Sequence, residues 1–188
     1  MRLPLVRRSL LQGLALMLLL CLMCTGMVRA QGVELALLQL QRQDGELTLD
    51  FDARVTLPKS VEDAMQRGIP VYFVAEASLY RGRWYWRDER VARVQRSWRV
   101  AYQPLTSTWR VGFGGFNQSF QTLGEALAVV SRSSRWKVAD LSQLDAESKH
   151  YLEFSYRLDN SQLPSPMQLG LGSQAEWVLS VERTLRLE

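Results

Sequence analysis

The stretch LTLDFDARVTL, residues 47–57, places an apolar side chain at every odd position and a polar one at every even position. A two-residue period belongs to a strand with one buried and one wet face, because successive side chains point to opposite sides. The same period recurs with less purity at residues 33–41, 71–86, 92–103, 108–114, 150–159, 166–171 and 176–186. Helix signals are few. Ser60-Val61-Glu62-Asp63 and Thr122-Leu123-Gly124-Glu125 each set a hydroxyl at a cap and an acid three residues on, the pattern of a capping box. Gly68 and Pro70 would stop the first helix, and the second fades into the serine-arginine run 131–135. About eight strands with two short helices predict a mainly β fold, an antiparallel β-sandwich or open barrel. A parallel α/β fold would need a helix between most strands, and residues 71–120 leave little room for one.

The first thirty residues carry a different pattern. Arg2, Arg7 and Arg8 precede the apolar run LLQGLALMLLLCLMCTGMV, and Val28-Arg29-Ala30 forms a small-residue cleavage pattern. Residues 1–30 are therefore expected to be a secretory signal peptide, with residues 31–188 as a single β-rich domain in the periplasm. The alternative is an inner-membrane anchor through an uncleaved leader, since the run is just long enough to span a bilayer. A lipoprotein is disfavoured, because Leu20 and Met23 stand where small residues should precede Cys21 and Cys24. Arg7-Arg8 resembles a twin-arginine signal, but the leucine-rich run fits the general secretory route better.

Removing such a leader removes the surplus charge. Of 23 Lys and Arg, four (Arg2, Arg7, Arg8, Arg29) lie in it, against 19 Asp and Glu that all lie beyond it. A mature chain near neutrality gives no global reason to expect nucleic acid or an anionic membrane as partner. Both cysteines leave too, so neither a disulfide nor thiolate chemistry is expected after export.

Against that background stands RGRWYWRDERVARVQRSWR, residues 81–99, crowded with arginine and tryptophan. Arg87, Arg90, Arg93, Arg96 and Arg99 recur every third residue, a spacing that circles a helix and alternates across a strand. Neither geometry makes one basic stripe. Ala92, Val94, Trp98, Val100 and Tyr102 would form an apolar strand face interrupted by Arg96. Residues 71–86 and 92–103 are expected to pair as a hairpin with Trp86 opposite Ala92, Trp84 opposite Val94 and Tyr80 opposite Trp98, keeping arginines apart. The apolar face changes parity near Gly82, so a bulge is expected there.

Gly68-Ile69-Pro70-Val71-Tyr72-Phe73, Arg83-Trp84-Tyr85-Trp86 with Asp88-Glu89, Leu105-Thr106 with Trp109-Arg110-Val111, and Leu158-Asp159 with Gln162-Leu163-Pro164 and Pro166-Met167-Gln168 form a recognisable set. Together they resemble a proteobacterial family catalogued as domain of unknown function 4390. Members are encoded near a nitrogen-responsive sensor kinase and an rRNA methyltransferase, which makes the outer domain of a membrane sensor one partner to consider. The resemblance brings no catalytic or binding residue with it.

The residue inventory is poor in catalytic groups. His150 is the one histidine and shares strand parity with Leu152, Phe154, Tyr156 and Leu158, so a structural role is expected. Cys/His zinc sites and histidine clusters are missing, and no Gly-x-Ser-x-Gly elbow accompanies His150. Asp50 and Asp52 share a strand face roughly 7 Å apart, a spacing a glycosidase could use. Thr48, Arg54 and Thr56 on that face favour a solvated surface instead. Phe113-Gly114-Gly115-Phe116 lacks the lysine and spacing of a phosphate loop and reads as a turn. Leu163-Pro164-Ser165-Pro166 reads as a rigid connection.

The expectation is a non-enzymatic protein without cofactor or metal that binds an envelope protein, for example a sensor kinase outer domain. Arg83, Trp84, Trp86, Arg93, Arg96 and Trp98 are the candidate binding residues, because Trp and Arg dominate interface hot spots. Core and rim packing is the competing role for the tryptophans, Trp109 included. The second functional expectation is a carrier or sensor of a small apolar or lipidic ligand held between the sheets.

Overall fold

The computed structural model describes residues 32–85, 87–145, 147–162 and 177–187. The leader, Trp86, the expected strand at 166–171, the proline-rich connection at 163–166 and the start of the expected strand at 176–186 lie outside the described residues. Among the described residues, no helix is long and apolar enough to cross a membrane.

Alternation works out as expected in β2 (Glu46–Thr56), where Leu47, Leu49, Phe51 and Ala53 are all buried. β2 lies between β1 (Gly32–Gln43) and β7 (Arg132–Asp140) in a three-stranded antiparallel sheet. The second sheet has the order β6-β5-β4-β3-β8-β9, again antiparallel throughout. Its strands are β3 (Val71–Arg81), β4 (Glu89–Gln103), β5 (Thr108–Phe113), β6 (Phe116–Phe120), β8 (His150–Leu158) and β9 (Ser180–Leu187). The sheets do not close into a barrel, so the sandwich is the architecture formed.

Their inner faces meet at Phe51. Its ring lies 6.4 Å from Trp98, 6.2 Å from Trp136, 5.1 Å from Phe154 and 5.9 Å from Tyr156, in tilted and edge-on arrangements favoured by aromatic quadrupoles. One strand of each sheet thus anchors a continuous apolar core that also includes Val71, Phe73, Leu79, Leu152 and Trp177.

Two strands depart from the sequence reading. β7 occupies the serine-arginine run in which the second helix was expected to fade, and β6 follows directly on the Gly114-Gly115 turn. Phe113 and Phe116 are paired across that turn, with φ of 54° at Gly114 and 88° at Gly115. Two positive φ values in a two-residue loop suit the twist of a hairpin and are open to glycine without strain.

The helices confirm one cap and correct the other. α2 (Leu123–Val130) has the expected capping box, with the Glu125 amide donating to Thr122 Oγ1 at 3.2 Å and the Thr122 amide to the Glu125 carboxylate at 3.4 Å. α1 (Lys59–Gln66) begins two residues earlier than a cap at Ser60 would set it. Pro58 is its N-cap, no side-chain cap bond forms, and the Pro58 carbonyl accepts from Val61 and Glu62. Val61, Ala64 and Met65 face the core, so burial fixes the phase of this short helix. Gly68, at φ 86°, ends it as expected.

The β3–β4 hairpin forms, but in another register. Phe73, not Tyr80, lies opposite Trp98; Leu79 lies opposite Ala92, and Arg81 opposite Glu89, leaving residues 82–88 as the connection. The inward side chains decide this. Val71, Phe73, Ala75, Ala77 and Leu79 are buried and must oppose Val100, Trp98, Arg96, Val94 and Ala92, which pushes Trp84 out of the ladder. The expected irregularity lies across the hairpin from Gly82: the ladder steps from Leu79↔Ala92 to Tyr80↔Arg90, so Val91 is an unmatched residue.

Candidate binding surface at the hairpin tip

The 82–88 connection is braced at both ends. The Gly82 amide donates to the Lys149 carbonyl at 2.8 Å, joining the tip to the residue before β8. Asp88 accepts from the Arg83 amide at 3.0 Å through one oxygen and from the Tyr151 hydroxyl at 2.7 Å through the other. Tyr151 stacks on Tyr80, with centroids 5.3 Å apart, and the Arg83 guanidinium pairs with Glu89, which also faces Arg81 at 3.7 Å.

The titration behaviour follows from these bonds. The Tyr151 hydroxyl, then the Arg83 amide, hold the Asp88 carboxyl below its ordinary range. The same hydrogen bond pushes the Tyr151 phenol up to about 12, because its proton is held between the two groups.

On this braced loop, Trp84 is 94 % exposed and Tyr85 67 % exposed, their rings meeting edge to face at 5.1 Å. Core packing does not explain a bare, solvated indole on a loop held by four polar contacts, and among the described residues Leu105 and Phe116 are other strongly exposed apolar side chains.

The sequence-derived candidates separate. Arg83 and Trp84 sit at the tip, and Trp86 lies outside the described residues. Arg93 is on the outer face of the large sheet, 2.8 Å from Glu76, which raises its pKa. Arg96 and Trp98 point inward. The Arg96 guanidinium lies 5.7 Å from the Phe113 ring and 5.1 Å from that of Trp136, and donates to Ser133 Oγ at 2.6 Å, so it bridges the two sheets. Burial lowers its pKa. Trp98 is 5 % exposed and stacks on Phe113 at 5.6 Å, so its work is packing. Trp109 is buried beside Tyr102 in the same way.

Sequence spacing missed a basic strip that the structure creates. Across from outward-facing Tyr80, Ser78 and Tyr72 stand Arg90, Arg93 and Arg99, and Arg110 of β5 joins them opposite Ala101. All four are exposed. An unbroken ladder would send Arg90 inward; the unmatched Val91 returns it to the outer side, so a stripe forms where simple alternation forbids one. The remaining outward residues on this part of β4 and β5 (Gln95, Ser97, Thr108, Gly112) carry no charge, and Glu76 on β3 is the neighbouring acid.

Other candidate groups serve the fold. Asp50 accepts from the Arg135 amide at 2.5 Å and from Gln41 Nε2 at 3.2 Å, holding β7 where its ladder is irregular and Arg135 takes φ 46°. His150 is buried, its Nδ1 3.0 Å from the Ser148 carbonyl. Among the described residues no cluster of three or more His, Cys, Asp or Glu could hold a metal ion. Phe51 and the rings around it pack the space where the two sheets meet.

These features define a two-sheet antiparallel β-sandwich carrying an aromatic tip and a basic strip. The family model described as "Domain of unknown function (DUF4390)" matches residues 30–186, and the chain belongs to that family. No curated protein and no solved structure matches it.

Proposed function

We propose that this protein works in the bacterial periplasm as a non-enzymatic binding protein, and that its partner is another envelope protein, the outer domain of a membrane sensor being the first to test. The carrying observation is Trp84, 94 % exposed on a loop braced through Asp88, Tyr151 and Lys149. A large aromatic side chain presented on a pre-ordered loop loses little conformational entropy on binding, which is why Trp and Tyr dominate interface hot spots.

The tip and the Gly32 end of β1 lie at opposite ends of the sandwich. Arg42 of β1, His150 and Leu187 line one cleft, which puts the β1–β2 turn at the tip's end of the sandwich. Gly32, where the preceding residues join, is at the far end of β1, roughly 35 Å away by strand rise. Thr56, opposite Gly32 in the ladder, therefore serves as a control position distant from the tip.

The test is photo-crosslinking in the native cell with a reactive amino acid at position 85, beside Trp84 on the tip, and, as control, at Thr56 beside the Gly32 end. The expected outcome is an adduct with a membrane sensor at 85 and none at 56. If Arg83→Ala with Trp84→Ala folds normally yet leaves every adduct unchanged, the tip is not the binding surface.

A further inference from the structure

β4 has two neighbours over only part of its length. β5 pairs with it from Arg99 to Gln103 and ends at Phe113. From Glu89 to Trp98, β4 pairs with β3 on one side, and among the described residues no backbone hydrogen bond reaches its other side. Among the described residues this edge is open from Glu89 to Trp98, in line with β5.

The two flanks of that edge differ chemically. Outward stand Arg90 and Arg93, the latter paired with Glu76 of β3, continued by Arg99 and Arg110, while the one acid of β4, Glu89, lies opposite Arg81 at the start of the strand. Inward stand Ala92 and Val94, half-buried against the core, leading to a corner where Phe113 is 40 % and Phe116 81 % exposed. Strand addition to an exposed edge uses main-chain hydrogen bonds for affinity and alternating side chains for specificity.

We propose that the edge of β4 from Glu89 to Ser97 accepts an extended segment of a partner protein as an added strand, acidic side chains lying beside Arg90 and Arg93 and aliphatic ones beside Ala92, Val94 and the Phe113–Phe116 corner. Charge complementarity selects the outer set and the half-buried aliphatics the inner set. The inference rests on the partner-binding reading above and names the chemistry of that partner. The opposing role for the same features is protective, since charged residues and bulges are how free edges avoid unwanted pairing.

A fluorescent decapeptide alternating glutamate and valine is titrated into the exported protein, with a lysine–valine decapeptide as control, and hydrogen exchange is followed over residues 89–98. The expected result is at least tenfold tighter binding of the glutamate peptide and at least tenfold slower exchange of edge amides in the complex. Arg90→Ala with Arg93→Ala weakens it five- to tenfold with an unchanged melting temperature, and salt weakens it likewise. Failure of the glutamate peptide to bind, equal binding of both peptides, or binding without slower exchange at 89–98 overturns the proposal. So does capture by phosphatidylglycerol vesicles that the peptide does not compete away, which would make the strip a lipid-headgroup surface. Peptide binding and edge exchange are read without the tip's partner, and crosslinking at the tip is read without the peptide, so failure of the edge and failure of the tip are separately visible.

Discussion

The two ends of β4 obey different constraints although they belong to one strand. Its inner end pairs with β3 as far as Val100 and with β5 from Arg99 to Gln103, and Trp98 and Val100 face Phe51 and its neighbours. From Glu89 to Ser97 the strand has one neighbour, none of its side chains is fully buried, and its ladder contains a bulge. The first half is specified by volume; the second is specified by parity and charge. Substitutions should therefore act on stability at one end and on recognition at the other.

The largest expected effect tests the interior end. Trp98→Ala removes a ring touching both Phe51 and Phe113 and should cost about 3–5 kcal/mol in urea unfolding, by lost burial and the cavity left behind. A cost below about 1 kcal/mol would mean that Trp98 is not the packing residue its position implies. Next comes a contrast with the other irregular edge, β7. Asp50→Ala leaves the Arg135 amide without its carboxylate and should cost about 1–3 kcal/mol, whereas the β4 bulge has no such lock to lose. Equal insensitivity at both bulges would erase that distinction.

A smaller effect concerns the brace at the tip. Asp88 titrates below its ordinary 3.8, so its contribution is present above 3.8 and is lost as pH falls through the lowered folded value. Tyr151 titrates above its ordinary 10.0, so its contribution is present below 10.0 and is lost as pH rises through about 12. The Arg83 amide proton resonance should stay constant between those limits and move below the lower one. In Tyr151→Phe, that acid transition should shift upward toward 3.8, because the larger cause of the depression is gone. The smallest effect on stability is at the very tip: Trp84→Ala should change unfolding by no more than about 0.5 kcal/mol while abolishing the crosslinked partner. A large loss of stability there would make the indole a structural residue and collapse the comparison.

The fold was largely legible in alternation. Leu47 to Leu57 pointed to a half-buried strand, and the even residues of 92–102 do face inward with Arg96 among them. β7 escaped because its inward residues, Ser133, Trp136 and Val138, are spaced unevenly by the irregularity that Asp50 holds. β6 escaped because a five-residue edge strand with four exposed positions has no buried face to display. The tip was harder. Whether Trp84 belongs to the ladder depends on register, and register was settled by Leu79 and Phe73 meeting Ala92 and Trp98 across the hairpin so that both rows face the core, a demand of tertiary packing that local spacing does not carry. Arg83 and Trp84 remain tip residues, whereas Arg96 and Trp98 were drawn inward by the parity that the sequence did reveal.

Val91 has a consequence for how this arm can change in length. It is a spare link: without it, every pair from Val71↔Val100 to Arg81↔Glu89 could persist with a regular ladder. A one-residue deletion at Ser97 instead would turn Arg96 through Ala92 over, burying Arg93 and exposing Val94. The arm thus holds one residue of slack beside its tip, where a lineage could shorten the chain without moving a charge across the sheet.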